Sequence, residues 1–120
     1  MQNIRNLQTD IVINVTSALR EDIGDGDITA RLIPADQRAT AKVITREAAT
    51  LCGQAWVNEV FKQIDPNIEI TWLAGDGDQV AANQTLFELN GSARSLLTGE
   101  RTALNFLQLR SGTATTCQHY

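Results

Sequence analysis

The 120 residues predict an α+β fold, an open-faced sandwich with one mostly antiparallel sheet and helices on one of its faces. Three observations predict it. Stretches with helical apolar spacing open the chain, sit at its middle and close it. Short alternating stretches lie between them. Two of these follow one another across a turn, as a hairpin-like pair does.

The first helix spans Ile4 to Arg20, with Ile4, Leu7, Ile11, Val12, Val15 and Leu19 on one face. Thr9 or Asp10 is an alternative N-cap, which starts the helix as late as Ile11. The IGDGD stretch at 23–27 stops it, because two glycines supply backbone freedom. Asp22, Asp25 and Asp27 then form an acidic cluster that lacks the ligand order and closing glutamate of a calcium loop. It reads as a solvated turn with local Asx hydrogen bonds.

Arg38 to Ala48 alternates through Ala39, Ala41, Val43 and Thr45, a strand pattern. Thr45, Arg46 and Glu47 read as a strand end with cross-strand ion pairing. A short strand around Thr50 to Cys52 precedes a helix over Gly53 to Ile64. Ala55, Trp56, Val60, Phe61 and Ile64 line one side of that helix, and Trp56 is expected to be a core anchor. Asp65-Pro66-Asn67 ends it. Ile68 to Leu73 and Gln84 to Leu89 are the next strands, the second with Leu86 and Glu88 on one side and Phe87 and Leu89 on the other. Turns are expected at Gly75 to Asp78 and at Asn90-Gly91.

The last helix covers Leu96 to Thr115, with Ser92 as N-cap and Gly112 placed to terminate it. Leu96, Leu97, Ala103, Leu104 and Leu107 form its apolar stripe. Glu100 and Arg101 interrupt that stripe, and an isolated buried charge costs several kcal/mol. Two readings stand at this point. Arg101 snorkels beside a partner carboxylate, or it is held near a dry surface to grip a planar carboxylate through its fork of donors.

Composition narrows the classes. A content of 42% apolar residues suits a globular fold rather than a disordered tail. Net charge is −4, sequence pI is about 4.8, and no basic run exists, so nucleic-acid and acidic-membrane binding are not expected. No apolar run approaches the roughly 20 residues that span a bilayer. The first residues lack the charged-then-apolar pattern of a secretory signal. Cys52 and Cys117 read as reduced cysteines of a cytoplasmic protein, neither in a metal-ligand spacing. His119 is the single histidine, which excludes a multi-histidine metal site within one chain, and no metal ligand is assigned.

Five stretches in order carry a family resemblance: EDIGDGDIT at 21–29, VITREA at 43–48, LCG at 51–53, DGDQVAANQTLFELNG at 76–91, and GERTALNF at 99–106 followed by SGTAT at 111–115. Together they resemble quinolinate phosphoribosyltransferase, also called carboxylating nicotinate-nucleotide pyrophosphorylase, from about Ala18 to Tyr120. The resemblance implies an N-terminal sandwich domain over residues 1–95 and, over 96–120, the start of an α/β barrel domain whose remainder is missing: its first helix, then the beginning of the next. It implies an enzyme of NAD synthesis that converts quinolinate and phosphoribosyl diphosphate to nicotinate mononucleotide, pyrophosphate and carbon dioxide. It further implies a homodimer sharing its site across the interface, and magnesium bound by residues that this chain lacks. Arg101 matches the family arginine that reaches quinolinate from the neighbouring subunit. No catalytic residue is assigned, and the 120 residues alone are expected to be inactive. Glu100 is expected to orient Arg101 or cap nearby backbone. Leu109-Arg110 looks transposed against the family pattern, and Arg110 would face the barrel core. A biotinyl or lipoyl carrier domain is the lesser alternative, since Lys42 and Lys62 fall in a predicted strand and helix. A non-catalytic dimerisation or binding module is another.

Overall fold

In the computed structural model, which describes residues 4–112 and 114–119, the order is α1 (Ile4–Arg31), β1 (Arg38–Thr45), β2 (Ala49–Thr50), α2 (Gln54–Ile64), β3 (Glu69–Trp72), β4 (Gln79–Val80), β5 (Thr85–Ser92), α3 (Ala93–Ser111) and β6 (Thr115–His119). Four strands form one antiparallel sheet in the order β3-β5-β1-β6, and β2 pairs β4 separately. The open-faced α+β sandwich expected from the periodicities is the observed architecture.

The register explains which face is covered. Ala41 pairs Leu89, Val43 pairs Phe87, Ile70 pairs Leu89 and Trp72 pairs Phe87. Paired residues of a ladder project to the same side, so these apolar side chains form one continuous face. The rings of Trp72 and Phe87 stand 4.4 Å apart at 37°. The helices supply Ile11, Val15, Leu19, Val57, Val60, Phe61, Leu96, Ala103 and Leu107 to the same core. Thr40, Lys42, Glu88 and Asn90 alternate onto the opposite, polar face.

Several expected boundaries shift. α1 does not stop at the glycines but continues to Arg31. A glycine inside a helix costs only about 1 kcal/mol, which weakens a helix without necessarily ending it. The acidic cluster is therefore helical rather than a turn. Asp22 accepts a 2.5 Å hydrogen bond from Thr102 Oγ1 on α3, while the side chains of Ile4, Asp25 and Asp27 lie outside the described residues. Ile11, Val15 and Leu19 are buried as expected, but Leu7 and Val12 are exposed. On α2, Val57 is buried while Ala55 is exposed. Asn90-Gly91 is not a turn: both residues pair with β1, at Thr40 and Ala39. On β5, Leu86 is buried as well as Phe87 and Leu89, so both of its faces are covered there.

The caps of α3 follow the sequence. Ser92 Oγ accepts from the Ser95 N–H at 3.4 Å. Gly112 ends the helix in the left-handed region at φ 69°, its N–H donating to Gln108 O. The helix thus stops short of Thr115. Residues 115–119 form an edge strand on β1 rather than more helix.

Candidate functional site

α3 carries the residues the sequence singles out, and its contacts decide what each can do. Leu96, Gly99, Ala103, Phe106 and Leu107 are buried, so the helix presses one stripe onto the core. Gly99 is required by that contact. A Cβ there would lie 2.7 Å from Phe61 Cε1 and 2.8 Å from Ile64 Cδ1 on α2. Arg101 lies on the outer side and is exposed, as are Asn105 and Gln108 four and seven positions on. Among the described residues, no hydrogen bond or ion pair engages its guanidinium. The carboxylate that a snorkelling arginine would use is turned elsewhere. Glu100 Oε2 lies 2.8 Å from His119 Nε2. The expected orienting of Arg101 by Glu100 is thus not what the geometry provides. Five unpaired N–H donors in a planar fork are suited to grip a carboxylate in two parallel bonds.

The resemblance-bearing stretches converge on the end of α3. Ser111 Oγ accepts from Cys52 N–H at 2.9 Å and donates to Cys52 O at 2.8 Å, tying LCG to SG. Gly53 caps α2 in the left-handed region, at φ 112°. Its missing Cβ would meet Arg110 Cβ at 3.1 Å. Arg110 lies across Trp56 with its guanidinium carbon 3.9 Å from the ring centroid. Trp56 therefore packs on the core by one face, as expected of an anchor, and carries a cation on the other. Asp76 Oδ1 accepts from Gln54 N–H at 3.1 Å, and Gly77 N–H donates to Leu51 O at 2.8 Å. The DGDQ stretch is thus the brace of α2. At the strand end, Thr45 Oγ1 donates to Glu47 O at 2.7 Å, closing a local turn. Lys42 and Lys62 sit on β1 and α2, away from any hairpin tip, which leaves the carrier-domain alternative without an attachment lysine.

A groove of about 400 Å³ opens between α1 and α3, lined by Asn14, Ser17, Asp22, Thr102, Phe106 and Arg110 among others. Arg101 is not part of it. The sequence reading missed the cluster beside Glu100. Cys117 Sγ lies 3.9 Å from His119 Nε2, and one ligand atom each of Glu100, Cys117 and His119 falls within 4.8 Å of the others. The alternation of Cys117 and His119 was the available signal, hidden because these residues were read as helix. Burial first, then the charge of Glu100 and a hydrogen bond to it, raise the Cys117 thiol from 9.0 to about 12.

The family described as quinolinate phosphoribosyl transferase, N-terminal domain, matches residues 27–111. The chain belongs to this family. Among curated relatives of this quinolinate phosphoribosyltransferase domain, the chloroplastic carboxylating nicotinate-nucleotide pyrophosphorylase of Oryza sativa subsp. japonica is 39% identical over 106 residues, 87% of this chain and 28% of that protein. A probable nicotinate-nucleotide pyrophosphorylase of Bacillus subtilis is 37% identical over 95 residues, 79% of this chain and 33% of that protein. The solved nicotinate-nucleotide pyrophosphorylase of Francisella tularensis shares 55% identity at a TM-score of 0.78, covering 82% of this chain and 36% of that one. NadC of Streptococcus pyogenes shares 32% identity at the same TM-score, covering 90% of this chain and 38% of that one. The chain thus spans about a third of the length of the relatives it matches. Among the described residues, no helix is long and apolar enough to cross a membrane.

Proposed function

We propose that the chain is the N-terminal domain of an enzyme that transfers the phosphoribosyl group to quinolinate, releasing pyrophosphate and carbon dioxide on the route to NAD. In this reading residues 1–95 form the sandwich and residues 96–120 lead into an α/β barrel. Arg101 is the residue of this chain that meets the substrate. One observation carries the assignment: Arg101 stands exposed on α3, with no partner among the described residues, in a chain of this family. A free guanidinium on an open surface has no walls of its own. A dry site must be completed by a second surface, which supports a homodimer in which Arg101 reaches the quinolinate held by the other subunit.

The chemistry asks for positive charge around a dicarboxylate and a diphosphate. The chain carries −4 overall, so a dianion approaches it only where a local cation reverses the field. Arg101 supplies two parallel hydrogen bonds to one carboxylate, which a lysine cannot. Magnesium prefers octahedral oxygen ligands. The Glu100, Cys117 and His119 group offers a single carboxylate with sulfur and nitrogen, and so does not fit that ion. Its ligands in this proposal lie outside the 120 residues. Two free cysteines support a reducing, cytoplasmic setting.

The test is an assay of the full enzyme that carries this domain, with quinolinate and phosphoribosyl diphosphate and release of carbon dioxide as the readout. Arg101→Ala is expected to lose about 2–5 kcal/mol of substrate handling, and Arg101→Lys to recover only part of it. Unchanged kcat/KM for quinolinate in Arg101→Ala would remove the assignment.

A further inference from the structure

Resting on the assignment of Arg101, we propose that Asn105 is a second substrate-binding residue of this domain. Its side-chain amide donates to the carboxylate of quinolinate that departs as carbon dioxide, while Arg101 grips the carboxylate that remains. A helix turns once in about 3.6 residues, so residues four apart share a face. Asn105 is exposed with Arg101 on the outer side of α3, opposite the buried stripe of Gly99, Ala103, Phe106 and Leu107. Their positions are about 6 Å apart along the axis. Helical side chains lean toward the N-terminus, so Asn105 reaches back over the turn that carries Arg101. A substrate brought to Arg101 therefore meets Asn105 as well.

The other polar side chains of this face are engaged or out of reach. Arg94 donates from Nε and Nη2 to Ile33 O, at 3.1 and 2.6 Å. Thr98 Oγ1 donates to Arg94 O at 2.9 Å. Gln108 stands seven residues beyond Arg101, roughly 10 Å along the axis, which is more than a pyridine dicarboxylate bridges. Among the described residues, no hydrogen bond engages the side chain of Asn105, so both N–H donors of its amide are available. The groove beside Asn105 also carries Glu21 and Asp22. Their negative charge keeps an anion out of the groove and on the Arg101 side of Asn105.

The chemistry of the two carboxylates assigns one to each residue. In the decarboxylation, the bond between the ring carbon next to nitrogen and its carboxylate breaks. The electron pair stays on that carbon, carbon dioxide leaves without charge, and the carbon takes a proton from water. A group that binds this carboxylate more tightly than the neutral molecule it becomes stabilises the ground state and slows the step. A guanidinium does so most strongly, because its bonds to a carboxylate are charge-assisted. An amide orients the same carboxylate through neutral donors. The carboxylate on the next ring carbon keeps its charge throughout, so the fork of Arg101 holds it without opposing the reaction.

Steady-state kinetics of the full enzyme that carries this domain test the role. Nicotinate, which lacks the departing carboxylate, serves as a competitive inhibitor against quinolinate. Asn105→Ala is expected to lower kcat/KM for quinolinate roughly tenfold, as loss of a hydrogen bond to a charged group does. The KM for phosphoribosyl diphosphate and the inhibition by nicotinate should stay as they were. Asn105→Asp keeps the shape but sets one carboxylate against another, and should lose about tenfold more. Arg101→Ala should weaken quinolinate and nicotinate alike, and Gln108→Ala should match the parent enzyme. Unchanged kcat/KM for quinolinate in Asn105→Ala, an equal loss in Gln108→Ala, activity kept in Asn105→Asp, or weakened nicotinate inhibition in Asn105→Ala would each overturn the role of Asn105. With Arg101→Ala impaired, such a result leaves the substrate reading of Arg101 standing. Unchanged kinetics in Arg101→Ala would remove that reading, and the role of Asn105 with it.

Discussion

Cys117 and Cys52 share a side chain and differ in surroundings, and that difference is measurable. Cys52 is exposed, whereas Cys117 is held under α3 with its thiol raised to about 12 by burial and by Glu100. The thiolate is the species that alkylates, and a rise of this size lowers its population by on the order of a thousandfold. Iodoacetamide at pH 8 is expected to label Cys52 well before Cys117, as read by peptide mass. Stability follows from the same shift. The folded-state pKa lies above the ordinary 9.0, so the unfolded chain loses the proton first as pH rises. This contribution is intact below pH 9 and is lost between about pH 9 and 12. The melting temperature should therefore fall across that window, and less steeply in Cys117→Ala. Arg110 offers a second case. Its stacking on Trp56 is partly exposed, so Arg110→Ala should cost about 0.5–1 kcal/mol in denaturant unfolding.

At the scale of elements, the α2–α3 crossing rests on Gly99. An alanine there gains up to about 1 kcal/mol of helix propensity. Its methyl would collide with Phe61, which is 1% exposed and has no room to turn, and such overpacking costs about 1–3 kcal/mol. Gly99→Ala is expected to lower stability on balance, and equal or higher stability in chemical unfolding would show that the helices move apart freely. Much of the element order was legible because β1, α2, β3 and β5 each bury a face with its own period. The misreadings have physical causes. Gly24 and Gly26 looked like a helix stop, but isolated glycines weaken a helix by about 1 kcal/mol each without necessarily ending it. Asn90-Gly91 looked like a turn, but Gly91 is there because Ile68 Cα passes 3.3 Å from where a Cβ would be. Arg101 was found through its family stretch. The position of Glu100 could not be read, because its partner His119 lies 19 residues on, in a strand that the family resemblance presents as the beginning of a barrel helix.

Over the whole molecule, the decisive question is where residues 115–119 belong. In the 120-residue chain they complete the sheet, hydrogen-bonding β1 from Ala41 to Thr45 and bringing Cys117 and His119 to Glu100. In the proposed full enzyme the same residues continue toward a barrel. Both arrangements cannot hold at once, since a strand paired to β1 cannot also be helix. The sheet edge makes the difference observable. With β6 in place the N–H and C=O groups of β1 are paired on both sides, and without it β1 is an open edge that favours association with another chain. Hydrogen exchange should therefore protect residues 115–119 together with β1 in the 120-residue chain. A chain ended at Gly112 should expose β1 and self-associate at lower concentration in sedimentation. If amides 115–119 exchange as freely as an unstructured tail, β6 does not form, while the assignment of Arg101 stands. If they are protected here and helical in the full enzyme, the segment changes structure with its context.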